Sequence, residues 1–273
     1  MATRKHQSGP AARRGYNDAT KDASPLPYWL YGMHAIKAGL ANPKRRFSQI
    51  LGTKNALNEI RDALPAGIDV EETSARAIEN RLGKGTVHQG IAGLTDPLSQ
   101  PRLDQVLKSL KGETAPRLVF LDQVTDPHNV GAIIRSAALF GAAAVVQTSR
   151  HGAPETAALV KAASGAFDAL PLVSVTNLSR ALDEVAEAGF IRIGLAGEAD
   201  QGPAAIAPDQ PIALVLGAEG KGLRAKTRDY CEHLVRLTMP GLDRGIPGLD
   251  SLNVSNAAAV ALYALMPPPA ADR

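Results

Sequence analysis

From Arg117 onward, short apolar runs alternate with helix-forming stretches, and this alternation constrains the fold of the 273-residue chain more than any other feature. The runs are LVFLDQV, AAVVQT, LPLVSV, IRIGLAG, IALVLG and LVRLT, each nearly continuous in hydrophobicity. A strand of that kind is buried on both faces, as in a parallel sheet with helices on either side. Helices are expected over 130–140, 155–165, 178–188, 223–231 and 256–266. The fold class is therefore α/β, with a mostly parallel sheet covered on both faces. Ligands of such sheets gather beyond the carboxyl ends of the strands, which directs attention to the loops after Val124, Gly197, Leu216 and Thr238.

Ahead of this domain the chain reads differently. Residues 1–27 mix Arg, Lys, Ser, Gly and Pro without period, the composition of a disordered basic tail. Five Lys and Arg against two Asp in that tail account for the whole net charge of +3. Residues 28–96 read as a small α/β unit with helices at 33–40, 54–64 and 75–81 and a strand at 47–51. Residues 97–115, proline-bounded around one short amphipathic helix at 103–110, read as a linker to the domain at 116–267, and 268–273 as a tail. Two units, each with its own core, are expected at this length.

The composition excludes several classes. No apolar run approaches the ~20 residues that cross a bilayer, and the N-terminus lacks the apolar stretch of a secretory signal, so a cytoplasmic protein without membrane contact is expected. The single cysteine, Cys231, has no histidine at ligand spacing, so neither an internal disulfide nor a metal site is expected. Charge is uneven. His34, Lys37, Lys44, Arg45, Arg46 and Lys54 fall in a window, 28–58, with no acidic residue, a pattern that suits a phosphate backbone or a plain solvated face.

Three segments carry candidate chemistry. In LDQVTDPHNVGAIIRSAALFG, Asp126 or Asn129 can cap a helix that has Pro127 in its first turn. Arg135 interrupts the otherwise apolar or small run AIIRSAALF, which implies a buried or cleft-facing guanidinium in need of an anion, from an internal salt bridge or a ligand. In LVLGAEGKGL a buried strand breaks into glycines around Glu219 and Lys221, allowing positive φ and close approach to a ligand. A phosphate-binding P-loop would need Gly at Val215 and Ser or Thr at Gly222, and is rejected. In SLNVSNAAAVALY, Asn253 and Ser255 precede an Ala-rich helix, as a cap or as part of a ligand site. A dinucleotide-binding fold is disfavoured too, because 124–131 offers no G-x-G-x-x-G turn.

Taken in order, these segments resemble the three motifs of the SpoU (TrmH-type) branch of the SPOUT RNA methyltransferases: Asn129 with Gly131 and Arg135, then Gly217 to Gly222, then Ser251 to Asn256. The 28–96 unit is similar to the ribosomal-protein-like RNA-binding domain of the subgroup that methylates guanosine riboses in 23S rRNA, through YGMHAIKAGL and VHQGIAG. The resemblance implies a homodimer and a C-terminal deep trefoil knot, which the general rule against threaded chains would otherwise exclude. It implies S-adenosylmethionine as methyl donor, held by Gly217, Ala218, Gly220, Gly222, Leu237, Met239, Leu252 and Asn256. It implies catalytic roles for Arg135, Asn129, Glu219, Asn253 and Ser255, with Glu219 a candidate to hold Arg135, and RNA contact by the basic window. Arginine stays protonated, so Arg135 is expected to orient a phosphate and offset alkoxide charge rather than act as base. A transfer RNA ribose methyltransferase and a non-catalytic RNA-binding or ribosome-assembly protein are the competing readings. The stretch PGLDRGIPGLD, 240–250, is longer than the family spacing leads one to expect.

Overall fold

The computed structural model describes residues 26–241 and 251–266. Most of the stretch expected to be a basic tail, residues 242–250 of the PGLDRGIPGLD stretch and the expected tail at 268–273 lie outside the described residues. The first unit runs β1 (Tyr28–Tyr31), α1 (Met33–Ala41), β2 (Phe47–Gly52), α2 (Lys54–Ile60), β3 (Asp69–Glu72), α3 (Ala75–Leu82) and β4 (Ile91–Thr95). Side-chain caps start two of its helices: Thr53 accepts from Ala56 N, and Ser74 from Ala77 N. The sheet has order β1-β4-β2-β3, with only β2 and β3 parallel. Strands β1, β3 and β4 are additions to the sequence reading. They are short, and β3 is exposed along its whole length as an acidic edge.

The second unit begins before the expected boundary. Helix α4 (Leu103–Ser109) buries Leu103 and Val106 against Phe120, Val146 and Val173, so the segment read as a linker is part of the core. Then follow β5 (Arg117–Asp122), α5 (Pro127–Leu139), β6 (Ala142–Thr148), α6 (Ala157–Ala162), α7 (Ala166–Ala169), β7 (Leu172–Val175) and α8 (Leu178–Glu187). The chain continues through β8 (Ile191–Leu195), β9 (Ile212–Gly217), α9 (Ala225–Arg228), β10 (His233–Val235) and α10 (Val254–Ala264). The helix expected over 155–165 divides into α6 and α7 where Ser164 and Gly165 take φ of 50° and 91°.

The strand order is β10-β8-β9-β5-β6-β7, and every pairing is parallel. Side chains leave β5 alternately for two cores: Leu118 and Phe120 meet α4 and α8 on one face, while Val119 and Leu121 meet α5, α6 and α10 on the other. Gly131 brings α5 against α6, since a Cβ there would lie 2.4 Å from the Leu159 carbonyl. The first unit buries a small cluster of its own, Leu51, Ile78 and Ala92, on one face of its sheet, and shares the core on the other face with the second unit. Leu30, Ile36, Ile60 and Ile91 join one apolar cluster with Val160, Ala163 and Phe167.

Arg117 closes the amino edge of the sheet. Its buried guanidinium donates to the carbonyls of Leu265 (3.1 and 2.8 Å), Ala115 (2.6 Å), Gln210 (2.8 Å) and Pro208. Burial draws its pKa below the ordinary arginine value, and no carboxylate is among these partners. The side chain thereby ties the end of α10 to the start of β5. Arg117→Met, which keeps the volume but orphans these carbonyls, should lower the unfolding free energy by about 3 kcal/mol. Urea titration checks this as a lower midpoint at unchanged slope.

Candidate active site

The register of β5 against β9 places Asp122 opposite Gly217, so the loops leaving both strands emerge side by side. After β5 the chain turns through Gln123 at φ 63° and enters α5, where Asp126 caps by accepting from His128 N and Pro127 occupies the first turn. After β9 the chain folds back on itself: Gly222 N donates to Ala218 O at 2.8 Å, with Gly220 and Gly222 at φ 76° and 64°. A Cβ on Gly217 would sit 2.1 Å from the Gly222 carbonyl carbon, so this return demands glycine. Asp122 secures its far end. The carboxylate, with no exposure, accepts from Arg224 N at 3.1 Å and Arg224 Nε at 2.7 Å.

At the start of α10, Asn253 both caps and reaches across. Its Oδ1 accepts from Ser255 N at 2.9 Å and Ser255 Oγ at 2.6 Å. Its Nδ2 donates to Asn129 Oδ1 at 3.0 Å and to Glu219 Oε1 at 3.3 Å, and Asn129 Nδ2 donates to Glu219 Oε2 at 3.4 Å. Three segments far apart in sequence thus meet in one amide and carboxylate cluster. Beside it opens a cavity of about 260 Å³. Its walls include Gly217, Ala218, Gly220, Gly222, Leu237, Met239 and Leu252, with Leu195, Leu216, Val254 and Ala257, so three of the four carboxyl-end loops line it. Glu198, Lys221, Arg228 and Arg236 supply charge at its edge, with Arg228 paired to Glu198 and bonded to Leu223 O at 3.1 Å.

Several expectations need correction. Arg135 is exposed and makes no hydrogen bond or ion pair among the described residues. The buried side of α5 is Val130, Gly131, Ile133, Ile134 and Ala137, while Arg135 and Leu139, one turn apart, lie on the other side. An apolar run longer than two turns wraps the helix, so an arginine within it need not be buried. Glu219 bonds Asn129 and Asn253, not Arg135. Asn256 is exposed and outside the cavity wall. In the basic window His34, Lys37, Lys44, Arg46 and Lys54 are exposed, although Lys37 meets Glu59 at 3.1 Å. Arg45 does not join them. Its side chain is wholly buried between Glu155 and Asp168 of the second unit, so it cannot face RNA.

Sequence reasoning missed Asp122, Glu198, Arg224, Arg228 and Arg236. Asp122 carried a usable signal, a carboxylate ending the apolar run LVFL, which marks a buried charge awaiting a partner. Arg236 interrupts the apolar run LVRLT and carried a similar signal, whereas Glu198, Arg224 and Arg228 stand in polar stretches, and only folding reveals what they face.

A model described as the SpoU rRNA Methylase family matches residues 116–263, and one described as RNA 2'-O ribose methyltransferase substrate binding matches residues 29–101. A 23S rRNA (guanosine-2'-O-)-methyltransferase of Photobacterium profundum is 36% identical over 242 residues, 86% of this chain and 95% of that one. Its counterpart in Pseudomonas putida is 38% identical over 239 residues, 86% of this chain and 94% of that one. Among solved structures, the SpoU methyltransferase AviRb from Streptomyces viridochromogenes has a TM-score of 0.72 at 21% identity over 88% of both chains. The same enzyme in complex with the cofactor AdoMet gives 0.69 at 21% identity over 88% of this chain and 89% of that one. With the three motif segments meeting in one side-chain cluster beside the cavity and a family model spanning 116–263, this chain belongs to the SpoU rRNA methylase family.

Proposed function

We propose that the protein transfers a methyl group from S-adenosylmethionine to the 2′-hydroxyl of a guanosine ribose in 23S rRNA. The observation that carries this reading is the meeting of Asn129, Glu219 and Asn253 beside a glycine-walled cavity. The cavity suits the cofactor: apolar walls of Leu195, Leu216, Leu237 and Val254 accept a nucleoside, and Glu198, Lys221, Arg228 and Arg236 can answer the charges of an amino-acid end. Bound there, the sulfonium supplies an electrophilic methyl carbon, and positioning provides much of the rate. The missing Cβ of Gly217 lets the Gly222 backbone fold back against it, and this return forms one wall of the cavity. Asn129, Asn253 and Ser255 shape the ribose side. Glu219, the carboxylate of the cluster, receives the hydroxyl proton. Arg135 orients the adjacent phosphate and offsets the developing alkoxide. His34, Lys37, Lys44, Arg46 and Lys54 of the first unit hold the RNA backbone.

We also propose that the C-terminal part of the sheet domain forms a deep trefoil knot, a reading supported by the return of α10 to pack on α5 and β9. We infer a homodimer formed through the same side of the molecule. Leu139 of α5 is 77% exposed and Tyr263 of α10 is 70% exposed, with Val260 beside them and Tyr263 edge-on to Phe140 at 6.2 Å. So much contiguous apolar surface on two packed helices fits an isologous contact.

Incubation with labelled S-adenosylmethionine, unmodified 23S fragments and transfer RNA should place label at a guanosine 2′-oxygen of the 23S fragment, and label confined to transfer RNA would refute the substrate assignment. In single turnover, Arg135→Ala should slow transfer about 100-fold with cofactor affinity unchanged. Gly217→Ala, which drives a methyl into the Gly222 backbone, should weaken cofactor binding by calorimetry at least about 10-fold while the circular dichroism spectrum is retained. Tyr263→Glu should convert a sedimenting dimer into monomer at micromolar concentration.

A further inference from the structure

The two units are joined by a buried ionic network as well as by shared apolar surface. Arg45, in the turn between α1 and β2, has no side-chain exposure, and Asp168 and Glu155 of the second unit are 2% and 11% exposed. The guanidinium donates through Nε to Asp168 Oδ1 at 2.5 Å, through Nη2 to Glu155 Oε1 at 3.1 Å and through Nη1 to the Tyr28 hydroxyl at 3.2 Å. Tyr28 in turn donates to Glu155 Oε1 at 2.6 Å, and Asn42 Nδ2 to Asp168 Oδ1 at 3.0 Å. Burial alone would lower the Arg45 pKa, but the Asp168 hydrogen bond, with the attraction of Asp168, Glu155 and Tyr28, raises it, so the group stays charged. Burial pushes the Tyr28 hydroxyl well above its usual range and keeps it a donor.

The network sits one helix away from the candidate active site. Asp168 lies on α7 and Glu155 just ahead of α6, and both helices pack on α5, which presents Asn129 and Arg135. The α5–α6 contact is closed to backbone distance at Gly131. A fork of fixed donors between two carboxylates specifies angle as well as distance, unlike apolar contact, which tolerates sliding.

We propose that Arg45 is a positioning residue, fixing the angle at which the RNA-binding unit presents its substrate to the cavity and so selecting which ribose is methylated. This rests on the RNA methyltransferase reading above. With the network intact, the ribose at one set distance from the RNA held by the first unit reaches Glu219 and Arg135. Without it, the basic face still binds RNA but presents neighbouring riboses as well.

The test compares wild type, Arg45→Lys, and the triple variant Arg45→Met, Glu155→Gln, Asp168→Asn, which leaves no charge buried. Each is assayed in single turnover on the 23S fragment that wild type modifies, with methylated positions mapped, and cofactor affinity is measured by calorimetry. The triple variant should keep the wild-type KM for RNA within about 3-fold and the same cofactor affinity. It should lose about 100-fold in single-turnover rate at the main position, the scale of an ångström-sized misplacement, with label spread to adjacent riboses. Arg45→Lys, retaining charge without the fork, should fall between the two. Should the triple variant fail to fold, Tyr28→Phe, which removes the two hydrogen bonds of the hydroxyl and leaves both ion pairs, is read for the same spread at smaller amplitude. A folded variant that modifies the single wild-type position at the wild-type rate, or one that is merely slower without spreading, overturns the proposal. Absence of RNA methylation by wild type would instead overturn the functional reading on which it rests.

Discussion

The alignment of β5 with β9 is the contact on which the rest of the site depends. Both strands are central and buried, and their pairing sets Asp122 against Gly217. Groups 90 positions apart, Asn129 and Glu219, come within a hydrogen bond because their loops leave adjacent strands at the same height. Hydrophobicity by itself specifies this register weakly. In a sheet covered on both faces, a slip of one residue exchanges Leu118 and Phe120 for Val119 and Leu121, and every side chain remains buried. The discrimination comes from the charges that bracket the apolar run. Arg117 at its start is satisfied where the carbonyls of Pro208, Gln210 and Leu265 converge, and Asp122 at its end is satisfied where Arg224 offers both N and Nε. A slipped strand would strand both ions in the interior, at a cost of several kcal/mol each.

The buried arginines solve one electrostatic problem in two ways. Arg117 spreads its charge over backbone carbonyls, which are fixed dipoles already present at strand and helix ends. Arg45 meets two carboxylates, which carry a desolvation cost of their own and leave Asp168 Oδ2 without a hydrogen-bond partner among the described residues. Replacing such a cluster by apolar packing is often neutral or favourable for stability. Its geometry, not its contribution to folding, is therefore what distinguishes the contact between the units from the apolar surface around it.

The parallel sheet was legible in the sequence because strands buried on both faces leave an unambiguous mark, and the glycines after Leu216 marked a place where backbone must fold tightly. Boundaries were less so. The helix at Leu103–Ser109 looked detachable because prolines flank it, yet its two apolar residues complete the core on the second face. Strand β4 was hidden in a run containing Gly93, where the side chain of Phe47 fills the space a Cβ would need. The basic window was read as one surface, but a guanidinium is placed by its partners, and Arg45 found carboxylates 110 and 123 positions away. Charge density along a chain does not say which cations stay in water.

Arg135 presents the converse case. A guanidinium inside an apolar run suggests burial, yet α5 holds it in solvent, one turn from the exposed Leu139 and on a helix packed against the α10 that exposes Val260 and Tyr263. In an isolated chain, a cation beside so much uncovered apolar surface has no local reason to be there. If a second copy covers this face, as proposed, the same residues acquire one: apolar contact excludes water around the arginine, and a charge in a drier setting acts more strongly on a nearby phosphate. The cavity is built within one chain, whereas the environment of its anion-seeking group is then completed by assembly. On that reading, the helix whose inner side carries the α6 contact at Gly131 would use its outer side to join the partner, making α5 the element through which RNA presentation and dimer formation both reach the reacting ribose.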